Sequence, residues 1–236
     1  MAVSTPVVPF PRDEKGEPVP AQIYLQPIAA PSILGLFGFA GATFMVGAHM
    51  AHWYGSAQTD IFLAPFAAAF GGLAQFAAGM WAYKARDGLA TAMHGMWGAF
   101  WMAFGLLQLM FITHSVAEPH GAWPALAYWF IVLAAITWMG FWASTAESTA
   151  LSVVLGVLAA GSTAAAVGYF IGSTGTLEVA GYIFCAAALV AWYTASGMML
   201  KGSFKRSVLP LGKTQKVQHL PTLMPGKGEP GVIAGQ

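Results

Sequence analysis

The chain has 236 residues, of which 57% are hydrophobic and 8% charged. A soluble domain carries about 25% charged residues, so composition alone excludes an ordinary soluble globular protein. With net charge +1 and no basic cluster outside the tails, the chain lacks the electrostatic footprint of a nucleic-acid partner.

Residues 1–30 are rich in Pro and polar groups without a sustained period, which predicts a disordered cytoplasmic N-terminal tail. No basic region runs directly into an apolar stretch there, so no cleavable signal peptide is expected. Charge then becomes sparse. Between Glu17 and Lys201 the Lys, Arg, Asp and Glu residues are only Asp60, Lys84, Arg86, Asp87, Glu118, Glu147 and Glu178. They divide the chain into uncharged runs that each reach the roughly 20 residues needed to cross a bilayer. Six transmembrane helices are predicted, at 33–54, 61–83, 91–113, 124–146, 149–172 and 177–200. Helices are preferred to strands because a helix satisfies its backbone polar groups within one segment. Residues 31–212 are thus read as one six-helix domain, and the Pro- and Gly-bearing residues 213–236 as a second disordered tail.

Basic residues set the orientation. All ten Lys and Arg lie in the two tails or in the second loop, at Lys84 and Arg86. The positive-inside rule therefore predicts both termini in the cytoplasm of an integral protein of the cell membrane. The single cysteine, Cys185, lies inside span six and has no intrachain disulfide partner. Gly156, Ala160, Ala164, Gly168 and Gly172 recur every four residues in span five and predict a close-packing seam. Gly71, Gly72, Ala78 and Gly79 suggest another in span two.

Ionisable groups inside a membrane are functional candidates because they are costly there. No span contains Lys or Arg, which argues against a Schiff-base lysine or a voltage sensor. His49, His52, His94 and His114 remain, together with Gln75. His49 and His52 are three apart and would share a face of helix one. His49 and His94 look deep enough to hold a b-type haem between two helices, although a hydrogen-bonded or pore-facing role is the simpler reading. No nucleophile elbow, phosphate loop or HExxH motif is present, so no enzyme, no catalytic residue, no metal and no cofactor are expected. The residues alone point to passage of something small along a narrow, weakly polar path.

Four stretches sharpen that reading. They are Ala30-Pro31-Ser32-Ile33-Leu34-Gly35-Leu36-Phe37-Gly38-Phe39 at the start of helix one and Phe70-Gly71-Gly72-Leu73-Ala74-Gln75 with Ala78-Gly79 and Tyr83-Lys84 in helix two. Gly98-Ala99-Phe100-Trp101 lies in helix three, and Phe204-Lys205-Arg206-Ser207-Val208-Leu209-Pro210-Leu211-Gly212 follows helix six. Together they resemble the succinate–acetate permease family, also called acetate uptake transporters, over about residues 27–213.

The resemblance implies transport of acetate and similar small monocarboxylates, with succinate as a further substrate, by a ring-shaped homohexamer with one path per subunit. It implies a hydrophobic constriction at Phe39, Trp97 and Leu158, where Trp97 stands for the family's Tyr, and a size-setting position at Ala191 beside Tyr193. A carboxylate is expected near Pro31, Ser32, Leu34 and Gly35, where Ser32 is read as the helix N-cap and backbone N–H groups could hold an anion. Thr43, Gln75 and Tyr193 are expected to offer hydrogen bonds, and His49 to serve as the proton-coupling group. The alternatives are a channel for another small solute such as ammonia, or a haem-bearing or structural subunit of a larger complex.

Overall fold

The computed structural model describes residues 28–56, 58–119 and 121–212. The two tails expected to be disordered, 1–30 and 213–236, lie outside them apart from residues 28–30. The described chain is all-helical and has six helices long and apolar enough to span a membrane. They are α1 (Pro31–Met50), α2 (Thr59–Ala85), α3 (Gly88–Ile112), α4 (Pro124–Ser144), α5 (Thr149–Ile171) and α6 (Thr174–Phe204).

The starts of these helices follow local chemistry. Pro31 and Pro124 open α1 and α4 at the first turn, where a missing N–H costs nothing. Asp87, Ser148 and Ser173 cap α3, α5 and α6, their side chains accepting from the backbone N–H of Ala90, Leu151 and Thr176. Ser32, expected to cap α1, lies inside its first turn: Ala30 is the N-cap residue, and its methyl cannot accept a hydrogen bond.

α1 ends at Met50, four residues before the expected boundary, because His52 turns to a positive φ of 57°. His49 and His52 therefore do not share a helix face. The second span contains Pro65, followed by a π-helical stretch at Ala67–Ala74 that the apolar period did not reveal. A proline removes one backbone donor and crowds the preceding turn, and wider π turns absorb such a mismatch.

α6 packs against α1 and α5, α4 against α5 and α3, and α2 lies across both α1 and α3. Helices α1, α6, α5, α4 and α3 thus close a ring, and α1 makes no backbone approach to α4 or α5 across its middle. Glycines permit the tight crossings: a Cβ at Gly79 would lie 2.6 Å from the Gly95 nitrogen, and one at Gly98 would lie 2.5 Å from the Phe76 nitrogen. The outer surface is apolar, with Phe62, Leu73, Tyr128, Met139, Trp142 and Ile171 all exposed. Such a surface suits lipid or neighbouring subunits rather than water.

The segment after α6 is not a loose tail. Its Leu211 and Gly212 carbonyls accept from the backbone N–H groups of Ala150 and Thr149 at 3.0 and 2.7 Å. These bonds satisfy two of the donors left open at the start of α5. The Tyr193 hydroxyl donates to the Pro210 carbonyl at 2.9 Å and holds the same segment.

Candidate functional site

Two cavities enter the ring from opposite ends. The larger, of about 420 Å³, lies at the end formed by the α1–α2, α3–α4 and α5–α6 connections; His49, His52, Asp60, Glu118 and Thr174 are among its lining residues. The smaller, of about 40 Å³, lies at the end that carries Ser32, Asp87 and Glu147. Trp97 lines both.

The two cavities meet at Trp97. Phe39, Trp97 and Leu158 are each 2% exposed and all line the smaller cavity. The Phe39 and Trp97 rings meet edge to face with centroids 6.3 Å apart, a favourable aromatic geometry. Phe100 packs edge-on against Trp97 from the large-cavity side at 5.4 Å. The Trp97 indole N–H donates to Thr137 Oγ1 at 3.0 Å, and the Thr137 hydroxyl in turn donates to the Leu133 carbonyl at 2.6 Å. This pair fixes the ring edge.

Polar atoms flank the closure on both sides. Among the described residues, the buried side-chain polar atoms without a hydrogen-bond partner are Thr43 Oγ1, Trp101 Nε1, Gln75 Oε1 and His94 Nδ1. Thr43 and Trp101 line the larger cavity; Gln75 and His94 line the smaller. An orphaned buried polar atom costs about 1–3 kcal/mol unless something completes it, and each of these four belongs to a residue that lines one of the two cavities.

The expected site residues divide into three groups. Thr43 lines the larger cavity, Ser32, Phe39, Gln75 and Leu158 line the smaller, and Trp97 lines both. Gly35 supports it from behind: a Cβ there would stand 2.5 Å from the His94 ring. Pro31 is half-buried at the helix start. Leu34, 49% exposed, faces away from the bundle, and Ala191, fully buried in α6, lines neither cavity. Tyr193 gives its hydroxyl to Pro210 instead of to the path.

His49 sits at the mouth of the larger cavity, with Nδ1 3.3 Å from the Tyr54 carbonyl and Nε2 3.9 Å from Asp60. It and His94 line different cavities on opposite sides of Trp97, so they cannot clasp one haem. No cluster of three or more His, Cys, Asp or Glu with metal-binding geometry occurs among the described residues. His94, for which a pore-facing role was one reading, lines the smaller cavity, whereas Trp101 and Thr137 are not among the expected site residues. Trp101 was within reach of sequence reasoning, because positions 94, 97 and 101 fall on one face of a helix.

The profile of the GPR1/FUN34/yaaH family matches residues 14–212. The chain belongs to this family. The match covers every described helix and the segment that folds back onto α5. Among curated relatives, the succinate-acetate/proton symporter SatP of Escherichia coli K12 is 27% identical over 187 residues, covering 79% of this chain and 97% of SatP. An uncharacterized protein of Methanothermobacter thermautotrophicus is 29% identical over 189 residues, covering 77% of this chain and 90% of its own length. The solved structure of the bacterial acetate channel SatP superposes with a TM-score of 0.73 at 25% identity, covering 79% of this chain and all of the SatP chain.

Proposed function

We propose that this chain carries acetate and similar small monocarboxylates across a membrane, through a path within each subunit. The observation that carries the reading is the arrangement of unpartnered buried polar atoms, two on each side of the apolar closure at Phe39, Trp97 and Leu158. A solute with a small apolar body and one polar end suits that sequence of surroundings. Similarity to a succinate-acetate/proton symporter and to an acetate channel supports the same substrate class.

The solute enters the larger cavity, meets Thr43 and Trp101, crosses the closure and reaches Gln75 and His94, or travels the reverse way. Bare carboxylate pays heavily for dehydration at an apolar closure, whereas the neutral acid pays far less. The proposal includes both chain ends on the cytoplasmic side of the cell membrane, supported by Lys84 in the last turn of α2 and Arg86 just after it, and a ring of six subunits, supported by the family resemblance.

Uptake of radiolabelled acetate into proteoliposomes tests the function. Flux that excess propionate competes away is the expected result. Flux no greater than in empty liposomes, from correctly assembled protein, contradicts it and favours a role for another solute.

A further inference from the structure

The walls of the larger cavity are aromatic. Trp123, Phe130 and Tyr169 line it from α4 and α5, and Phe100 and Phe104 from α3. The Trp123 backbone N–H donates to the Tyr169 carbonyl at 2.7 Å. Their rings meet at right angles with centroids 6.1 Å apart, and Tyr169 stacks on Phe130 at 5.6 Å. These contacts hold three rings of two helices as one rigid wall.

The mouth of the same cavity is acidic. Asp60, in the first turn of α2, and Glu118, in the α3–α4 connection, are the carboxylates that line it, and no Lys or Arg lines it among the described residues. The connections at this end, 51–58, 113–123 and 172–173, contain no Lys or Arg at all. A cleft lined by one sign of charge between low-dielectric walls concentrates the opposite charge. Glu118 also lies within electrostatic reach of the Tyr169 hydroxyl, which ties a carboxylate to the aromatic wall.

Acidic groups beside aromatic faces select the kind of cation. Among the described residues no group of three or more His, Cys, Asp or Glu has metal-binding geometry. Aromatic faces attract organic cations, quaternary ammonium groups above all, because the ring quadrupole is negative over its face. Size agrees with an organic guest: the cavity holds about 420 Å³, within the roughly 300–1,000 Å³ of small-molecule sites. The smaller cavity, beyond Trp97, holds about 40 Å³. A benzyl-sized body is accommodated by the first and not by the second.

We propose that the larger cavity binds quaternary ammonium compounds with an aromatic body, and that such a ligand blocks the path. Asp60 and Glu118 attract its charge, and Trp123, Phe130 and Tyr169 receive its apolar body. With so little space beyond Trp97, the ligand is held rather than carried. The binding stands on the cavity alone, whereas the block rests on the monocarboxylate reading.

Benzyltrimethylammonium is the probe, and benzyl alcohol, which has the ring without the charge, is the control. Titration calorimetry on the purified full chain reads binding without any flux. Saturable binding of the cation is expected, with none of benzyl alcohol at the same concentrations. Asp60→Asn and Glu118→Gln, at positions that are not buried, are each expected to raise the dissociation constant about two- to five-fold. In proteoliposomes with the cation on both sides of the membrane, uptake of radiolabelled acetate is expected to fall. No saturable binding, or equal binding of benzyl alcohol with unchanged constants in both variants, would overturn the site. Saturable binding with undiminished acetate uptake would overturn the block. Absence of acetate flux in the unaltered protein would overturn the transport reading, and the calorimetry would still decide the site.

Discussion

The indole N–H of Trp97 ends 3.0 Å from the hydroxyl of Thr137, a residue 40 positions along the chain and on the neighbouring helix α4. Thr137 is fully buried and its own O–H donates to the Leu133 carbonyl. The ring of Trp97, which lines both cavities, is therefore held at its edge by a side chain that lines neither. Thr137→Val keeps the shape and removes the acceptor, leaving a buried N–H unpaired at a cost of about 1–3 kcal/mol. Lower thermal stability in detergent and a relaxed preference among acids of different size are expected. A variant with both properties unchanged would show that packing alone holds the ring.

Gly35→Ala brings a methyl group to 2.5 Å from the His94 ring. A side chain can rotate away where a backbone cannot, so this variant is expected to assemble normally but transport less. Gly38→Ala meets the Phe70 carbonyl oxygen at 2.5 Å and is expected to assemble poorly. Gly88→Ala, with nothing within 4 Å, serves as the control. Gel filtration of the three proteins, followed by flux measurements on those that assemble, checks the order.

Tyr193→Phe removes one hydrogen bond to the segment that closes α5 and is expected to cost about 1 kcal/mol. Ending the chain before Ser207 removes that bond and also the two carbonyls that accept from Thr149 and Ala150. The shortened protein should melt well below the Tyr193→Phe variant. Equal melting temperatures would mean that water replaces those carbonyls without loss.

His49 is 36% exposed beside Asp60 at 3.9 Å and lines the larger cavity, whereas His94 lines the smaller. Exposed pairs of this kind contribute about 0–1 kcal/mol. His49→Ala is therefore expected to leave the pH profile of uptake unchanged. A displaced profile would return the proton-coupling role to His49.

Much of this was legible in the sequence because lipid imposes a simple rule on composition. Six uncharged runs became six helices, and their ends were displaced only where local backbone chemistry intervened, at His52 and at the caps. The π turns after Pro65 leave no trace in hydropathy, since they change the helix's phase without changing its composition. The closure at Phe39, Trp97 and Leu158 came from resemblance and depends on tertiary convergence that no single segment encodes. Depth misled where position in a span stood in for burial. His49 reaches a wide mouth, while His94 is sealed by Gly35 from the opposite helix. Tyr193 has the chemistry of a path residue, but the returning chain at Pro210 claims its hydroxyl.

The most direct test of the account is the size limit of transport in an acid series from formate to butyrate, compared between the unaltered protein and Leu158→Ala. Leu158 is 2% exposed and lines the smaller cavity with Phe39 and Trp97, so shortening its side chain to a methyl makes room there. The account predicts that the unaltered protein passes the smallest acids and that Leu158→Ala shifts the limit to longer ones. Identical limits in two equally well-assembled proteins would contradict it, because the solute would then cross somewhere other than between Phe39, Trp97 and Leu158.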